Sequence, residues 1–139
     1  APSAVCRPPE GSTVRGGVRR RPVGGTERSA MRKQSLIAVA RHLMAHAATA
    51  ASGRSAETVY GGHEQTLRQT VIALMGGQSM GEHGSPGEAT VYVLRGRLRV
   101  SSGDASWDAM TGDLLVLPRT RHRLDALEDC AMLLTVAKT

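Results

Sequence analysis

The spacing of apolar residues along the chain changes near position 54. Before it, within an N-terminal segment over 31–54, apolar residues recur at intervals of three or four, which predicts an amphipathic helix over 32–52. Alanine dominates its last turns and favours a helix, and Gly53 is its predicted end. The predicted apolar face is formed by Leu36, Val39, Ala40, Leu43 and Ala47.

From position 55 onward, short apolar segments with a period of two alternate with glycine- and proline-rich turns. Many short strands at this spacing are typical of a β-sandwich or a β-barrel, so 55–139 is predicted to be a single β domain. The glycine-rich stretch 81–87 is predicted to be a loop between two strands. The predicted strands span 57–60, 67–75, 90–94, 97–101, 105–110, 113–117, 122–126 and 131–137.

Two predicted strands, 67–75 and 131–137, are apolar on both faces. In the first, Val71 and Ala73 alternate with Ile72 and Leu74. A strand of a small isolated barrel needs only one apolar face. The second apolar face therefore predicts a cover, which is either the helix or a second subunit, and we expect a homodimer. The alternative for the helix is a membrane surface, but its apolar face is small, which favours packing.

Composition limits the remaining possibilities. A chain of 139 residues suits one domain, and the low aromatic content of 2% requires a core of aliphatic residues. No uninterrupted apolar run reaches the roughly 20 residues of a membrane span, so no membrane partner is expected. Cys6 lies in a polar context and Cys130 in an apolar one, so we expect no disulfide and a reducing cytoplasm.

The basic charge is concentrated at the start of the chain. Segment 1–30 has six arginines against two glutamates, whereas 31–139 has twelve basic residues against ten acidic ones. The nearly balanced second part does not indicate a nucleic-acid-binding face. Segment 1–30, rich in arginine, glycine and proline, is predicted to be a disordered basic tail.

Three interpretations of segment 1–30 remain open. It is an electrostatic arm for nucleic acid or acidic membrane, an export signal, or a stretch without a selected function that precedes a native start at Met31. The apolar stretch after Arg21 is interrupted by Arg41 and His42, so it does not form a compact signal sequence. We favour the third interpretation.

Two spaced motifs carry the strongest indication of a family. In the first, Gly77 is followed after five residues by His83, then by Ser85, then by Ala89, and six residues after Ala89 by Gly96. This stretch resembles the first cupin motif, in which a glycine is followed by two histidines, a glutamate and a second glycine.

The second motif begins at Gly112, continues through an apolar segment to Pro118 and ends at His122. It resembles the second cupin motif. The resemblance implies a mainly β fold, a small antiparallel β-barrel of the cupin or jelly-roll type, here preceded by the amphipathic helix. The chain also resembles the small single-domain cupins common in actinobacteria, for which no single reaction is implied.

The resemblance also implies a metal site of three histidines and one glutamate, a donor set that suits iron, manganese, nickel or zinc. His83 and His122 match the first histidine and the histidine of the second motif. Ser85 and Ala89 replace the other histidine and the glutamate. With two of four ligands present, we expect either no cofactor or a single divalent metal ion.

Two further residues are candidate replacements for the missing ligands. Glu88 precedes the position of the missing glutamate, but in a strand that offset turns it to the other face unless a bulge intervenes. His63 lies in a turn and is a candidate for the barrel mouth. The alternative is that Glu88 and His63 face solvent, and that His83 and His122 are neutral hydrogen-bonding groups.

Arginines alternate on one predicted strand face and again near the second motif. They suit an anionic ligand, but a solvated strand face that deters aggregation is the favoured alternative. No nucleophile motif and no phosphate-binding loop before a helix is present. These arginines are Arg95, Arg97, Arg99, Arg119, Arg121 and Arg123.

Two functions follow from these patterns. The first is a non-catalytic cupin, or one with a degenerate metal site, that binds a small molecule in the barrel. The alternative is a metal-dependent enzyme, a dioxygenase or isomerase, with His83 and His122 as ligands. A DNA-associated regulator is a weaker third possibility. The predicted pocket is lined by His83, Ser85, Ala89, Val91, Val93 and His122.

Overall fold

Two antiparallel sheets face each other across an aliphatic core in a computed structural model that describes residues 31–83 and 87–138, except for the side chains of Glu82 and His83. Predictions that concern segment 1–30, including its disorder and the context of Cys6, lie outside these residues. Within the described residues the chain forms one helix, α1 (Leu36–Thr49), and nine strands. The strands are β1 (Arg54–Tyr60), β2 (Leu67–Leu74), β3 (Ser79–His83), β4 (Gly87–Arg95), β5 (Arg97–Ser102), β6 (Ala105–Met110), β7 (Leu114–Val116), β8 (His122–Ala126) and β9 (Cys130–Lys138).

Helix α1 begins at a side-chain cap and packs on the sheet that follows. The hydroxyl of Ser35 accepts a hydrogen bond from the backbone N–H of Ala38 at 3.1 Å, which satisfies one of the unpaired N–H groups of the first turn. Ala40, Leu43 and Ala47 are buried, as the helical spacing predicts. None of the described helices is long and apolar enough to span a membrane.

The five-stranded sheet has the order β1-β2-β9-β4-β7. Its strand β2 turns Ile72 and Leu74 towards the barrel interior and Val71 and Ala73 towards the helix, where Leu43 packs against them. The prediction that the second apolar face of this strand is covered is therefore confirmed, and the cover is α1.

The four-stranded sheet has the order β3-β8-β5-β6. The prediction of a loop over 81–87 is wrong at both ends, because 79–83 forms β3 and Gly87 already belongs to β4. Strand β3 pairs with β8 in an irregular register, with Met80 opposite Leu124 and His83 opposite His122. The segment 84–86 lies outside the described residues.

The sheets are linked by a tight turn between β4 and β5, which belong to different sheets. Gly96 at its tip has φ +83, and a Cβ added there would lie 2.2 Å from the carbonyl oxygen of Asp129. Only glycine meets both requirements. This turn therefore fixes how the chain passes from the five-stranded sheet into the four-stranded sheet, and the side chains of both sheets form one interior cluster around Leu98 and Met132.

Candidate functional site

Strand β4 supplies one wall of the barrel interior. Its residues alternate in burial, so that Ala89, Val91 and Val93 are buried in the interior cluster and Tyr92 is exposed on the other side. Glu88 is also exposed, in a register with β9 that is regular from Gly87 to Val93. The period of two therefore puts Glu88 on the outer face, and the structure does not bring it together with the interior residues.

His122 is the buried polar residue of the described chain, with 2% of its surface exposed. It begins β8 on the interior face, in the same alternation as the buried residues Leu124 and Ala126. Its Nδ1 lies 3.1 Å from the backbone carbonyl of Thr120. Because a carbonyl oxygen only accepts, Nδ1 carries the proton, and in a neutral ring Nε2 is then the acceptor.

His83 is brought close to His122 by the pairing of β3 with β8. The two residues are backbone partners at the ends of their strands. The side chain of His83 and the whole of Ser85 lie outside the described part of the structure, so the predicted pocket is described at Ala89, Val91, Val93 and His122. These four side chains are buried on the interior faces of β4 and β8.

The described side chains do not fit the four-ligand metal site that the resemblance implies. In the described part of the chain, no three histidine, cysteine, aspartate or glutamate residues are close enough to hold a metal ion. At the position of the family's glutamate, Ala89 occupies the interior face, while Glu88 is exposed on the outer face. The described interior of the barrel thus offers the imidazole of His122 in an apolar setting.

An apolar cleft of about 380 Å³ opens between the edges of the two sheets. Trp107 lies opposite Val100 in the β5–β6 pair, so its ring shares the interior face of that sheet, yet 47% of its surface is exposed. The sequence pattern of β6 does not predict this cleft, because the two edge strands that form it belong to different sheets. The lining residues are Val100, Trp107, Leu114, Leu115, Val116, Leu117 and Pro118.

A second, polar cleft of about 290 Å³ contains His63. This histidine is exposed and follows β1, and the cleft groups it with Arg68 and Lys138. Arg68 and Lys138 belong to no recognised motif, and no sequence pattern predicts that they lie close together. They come together because β2 pairs with β9.

The arginines on the four-stranded sheet largely face carboxylates. Arg99 makes two hydrogen bonds to Asp108, at 2.7 and 3.2 Å, and Arg97 lies 3.6 Å from Glu128. These contacts lie on the exposed outer face and favour a solvated strand face over an anion site.

Two further groups on the barrel have shifted pKa values. The hydrogen bond from Ser79 and then that from Arg123 hold the pKa of Asp125 below its ordinary value. Burial raises the pKa of the Cys130 thiol to about 11, so this thiol is protonated and inert at neutral pH. Cys130 is a free, buried cysteine.

Comparison with known proteins agrees with the family resemblance of the two sequence motifs. The family model described as "Cupin domain" matches residues 70–137. A solved conserved protein of unknown function from Streptococcus pyogenes is 32% identical, with a TM-score of 0.58, and 65% of this chain and 78% of that chain are covered. No curated protein matches this chain.

Two structures named as cupins are also similar. An RmlC-like cupin protein from Desulfovibrio desulfuricans is 28% identical, with a TM-score of 0.54 and coverage of 60% of this chain and 81% of that one. A cupin superfamily protein from Desulfitobacterium hafniense is 14% identical, with a TM-score of 0.57 and coverage of 88% and 94%. The fold and these matches define a small double-sheet β-barrel protein with a preceding helix. The chain belongs to the cupin superfamily.

Proposed function

We propose that this cupin binds a small molecule in its barrel without catalysing a reaction on it. The observation that carries the proposal is the apolar cleft of about 380 Å³ between β6 and β7. Small-molecule sites are mostly apolar concavities of about 300–1,000 Å³ with a few polar groups that orient the ligand. The wall of this cleft includes the interior residues Val100 and Leu117, so a ligand entering it contacts the core of the barrel.

Neither His83 nor His122 is among the described residues that line the cleft. In this proposal the ligand extends from the cleft into the barrel interior, where the two histidines are the polar groups that orient it. His122 is held by the carbonyl of Thr120 at 3.1 Å, so its ring orientation is set before a ligand arrives. Preorganised polar groups lower the entropic cost of binding. His83, its backbone partner across the strands, is proposed as the second polar group.

The competing function is a metal-dependent enzyme in which His83 and His122 hold iron, manganese, nickel or zinc. One contact favours it, because a metal-bound histidine commonly donates its other ring N–H to a backbone carbonyl, as His122 does to Thr120. The placement of Glu88 on the outer face argues against it. We therefore favour binding without catalysis.

Metal analysis of protein purified without a tag or chelator separates the two functions. We expect less than one equivalent of iron, manganese, nickel and zinc together, with no difference between the wild type and His122→Ala. The control is His42→Ala, on the exposed side of α1. One equivalent of metal that is lost in His122→Ala but kept in His42→Ala overturns a barrel that binds its ligand without metal and favours the metal-dependent enzyme.

The cleft itself can be tested with a neutral apolar probe, because Trp107 is the chain's single tryptophan and lines it. We expect N-phenyl-1-naphthylamine to quench Trp107 fluorescence at saturation with one probe per chain. Leu115→Arg places a charge in the cleft and should weaken binding by about tenfold or more. Met110→Arg, on the same edge but exposed, should not. Absence of saturable quenching, or equal loss in both variants, contradicts the proposal.

We further propose a homodimer in a bacterial cytoplasm, without a nucleic-acid partner. Support for the dimer comes from Tyr92, Leu114 and Val116 on the outer side of β4 and β7, which are 40%, 60% and 76% exposed. Exposed apolar patches often mark interfaces. Sedimentation at micromolar concentration should give a dimer that Val116→Arg dissociates, and a monomeric wild type would contradict it.

A further inference from the structure

The polar cleft beside the hairpin of β1 and β2 gathers basic side chains from three separate parts of the chain. Its volume is about 290 Å³, and no carboxylate is among the described residues that line it. The basic side chains come from the loop after β1, from β2 and from the end of β9. The lining residues are Thr58, Gly61, Gly62, His63, Arg68 and Lys138.

Arg68 projects from the interior face of its sheet. It lies directly opposite Val136 of β9, and opposed residues of antiparallel strands share a face. Val136 is buried in the interior cluster. Thr58 shares this face, because it lies opposite Thr70, with their hydroxyl oxygens 3.4 Å apart. The guanidinium and the Thr58 hydroxyl therefore stand on the same side of the sheet, where its interior face reaches the end of the barrel.

The loop that completes the cleft is tied to β9 at two points. The Lys138 ammonium donates to the carbonyl of Gly62 at 2.5 Å, and the Lys138 backbone N–H donates to the carbonyl of Thr66 at 2.8 Å. Gly61 has φ +95, and a Cβ there would lie 2.2 Å from the carbonyl oxygen of Leu67. The loop is thus held in one conformation, and the ammonium retains N–H donors for a ligand.

Arg68 differs from the arginines of the four-stranded sheet. Arg99 faces Asp108 and Arg123 faces Asp125, whereas no hydrogen bond or ion pair joins the Arg68 side chain to another residue in the described part of the chain. Lys138 likewise has no carboxylate partner in the described residues. Two neighbouring cations repel each other. An anion bound between them adds two attractions that outweigh this repulsion.

We propose that this cleft binds the oxyanion group of a small molecule, either a carboxylate or a phosphate. Arg68 supplies a planar fork that suits two oxygens, Lys138 supplies a point charge, and Thr58 and His63 supply further donors. The cleft shares no lining residue with the apolar cleft between β6 and β7. The proposal therefore goes beyond the ligand proposed for the barrel and stands without it.

Amide NMR titrations at constant ionic strength test the proposal. The probes are inorganic phosphate and citrate, with chloride as the reference anion. We expect saturable shifts of the amides of 58–68 and 138 with one oxyanion or both, and only weak linear shifts with chloride. Saturation with phosphate alone assigns a phosphate group, and saturation with citrate alone assigns a carboxylate.

A matched pair of arginine variants separates a site from general surface charge. Arg68→Gln should weaken binding by about tenfold or more. Arg97→Gln removes the same charge from the four-stranded sheet, next to Glu128, and should leave binding unchanged. If Arg68→Gln does not fold, Lys138→Met replaces it. No saturation with either oxyanion, or equal weakening in Arg68→Gln and Arg97→Gln, overturns the proposal.

Discussion

The two sheets of this barrel differ in what lies on their outer faces. On the five-stranded sheet, Val71 and Ala73 are buried beneath Leu43 of the helix. On the four-stranded sheet, one row of polar side chains crosses all four strands and stays at the surface. Successive strand partners form this row: Ser79, Asp125, Arg99 and Asp108.

This difference shows that the residue types on the outer face of a sheet indicate whether protein or water covers that face. An apolar outer face needs a cover, and the chain supplies it with one helix that precedes the sheet. A charged outer face needs only water and neighbouring charges, and exposed ion pairs of this kind contribute little to stability. We therefore expect the free energy of unfolding to depend strongly on the covered sheet and weakly on the charged one.

The largest effect should follow from truncating the helix contact. Leu43→Ala removes a side chain that is 4% exposed and should lower the free energy of unfolding by about 2–4 kcal/mol. Ile37→Ala, at a position that is 63% exposed in the same helix, should change it by less than about 0.5 kcal/mol. Urea unfolding followed by circular dichroism measures both. Equal effects would mean that α1 does not cover the sheet.

A smaller effect is expected at the turn that joins the two sheets. Gly96→Ala and Gly103→Ala both place alanine at positive φ, +83 and +60, but only at Gly96 does an added Cβ meet other atoms within 4 Å. In both variants the strained backbone conformation should lower the free energy of unfolding by about 1–2 kcal/mol. In Gly96→Ala the clash should lower it by about 1–3 kcal/mol more. Similar unfolding midpoints for the two variants would contradict the close approach to Asp129.

The smallest effect concerns acid on the charged sheet. Ser79 and then Arg123 lower the pKa of Asp125 in the folded state, so the ionised carboxylate stabilises the fold above the pKa of the unfolded chain. That contribution disappears as the pH falls through the lower folded value. Asp125→Asn should therefore be less stable than the wild type at about pH 6 and equal to it at the acid limit. A stability gap that is constant with pH would show that Asp125 is not held by these partners.

Much of the fold could be predicted because it depends on local periodicity. The spacing of Leu43 and Ala47 places them on the buried side of α1, and the alternation around His122 and Leu124 places both inside the barrel. Strand β3 escaped prediction because its polar and glycine residues show no alternation. The cap at Ser35 also went unpredicted, although serine before an apolar helical run is an ordinary start.

The candidate sites also include some features that local periodicity predicts and others that it does not. Period two predicts that Glu88 turns away from the interior, and its exposure agrees with that. The polar cleft was not predictable, because Gly62 and Lys138 are 76 residues apart and meet only through strand order. The apolar cleft has the same cause, since Trp107 and Leu115 belong to edge strands of different sheets.

The position of β9 also decides when the protein can fold. It is the ninth strand in chain order but lies in the middle of the five-stranded sheet, between β2 and β4. Until Cys130–Lys138 leaves the ribosome, β2 and β4 have no strand to join them, and each presents an unpaired apolar edge. Before β9 is synthesised, the five-stranded sheet of the nascent chain can form only as two separate parts. During this interval the chain is exposed to aggregation and depends on protection by chaperones.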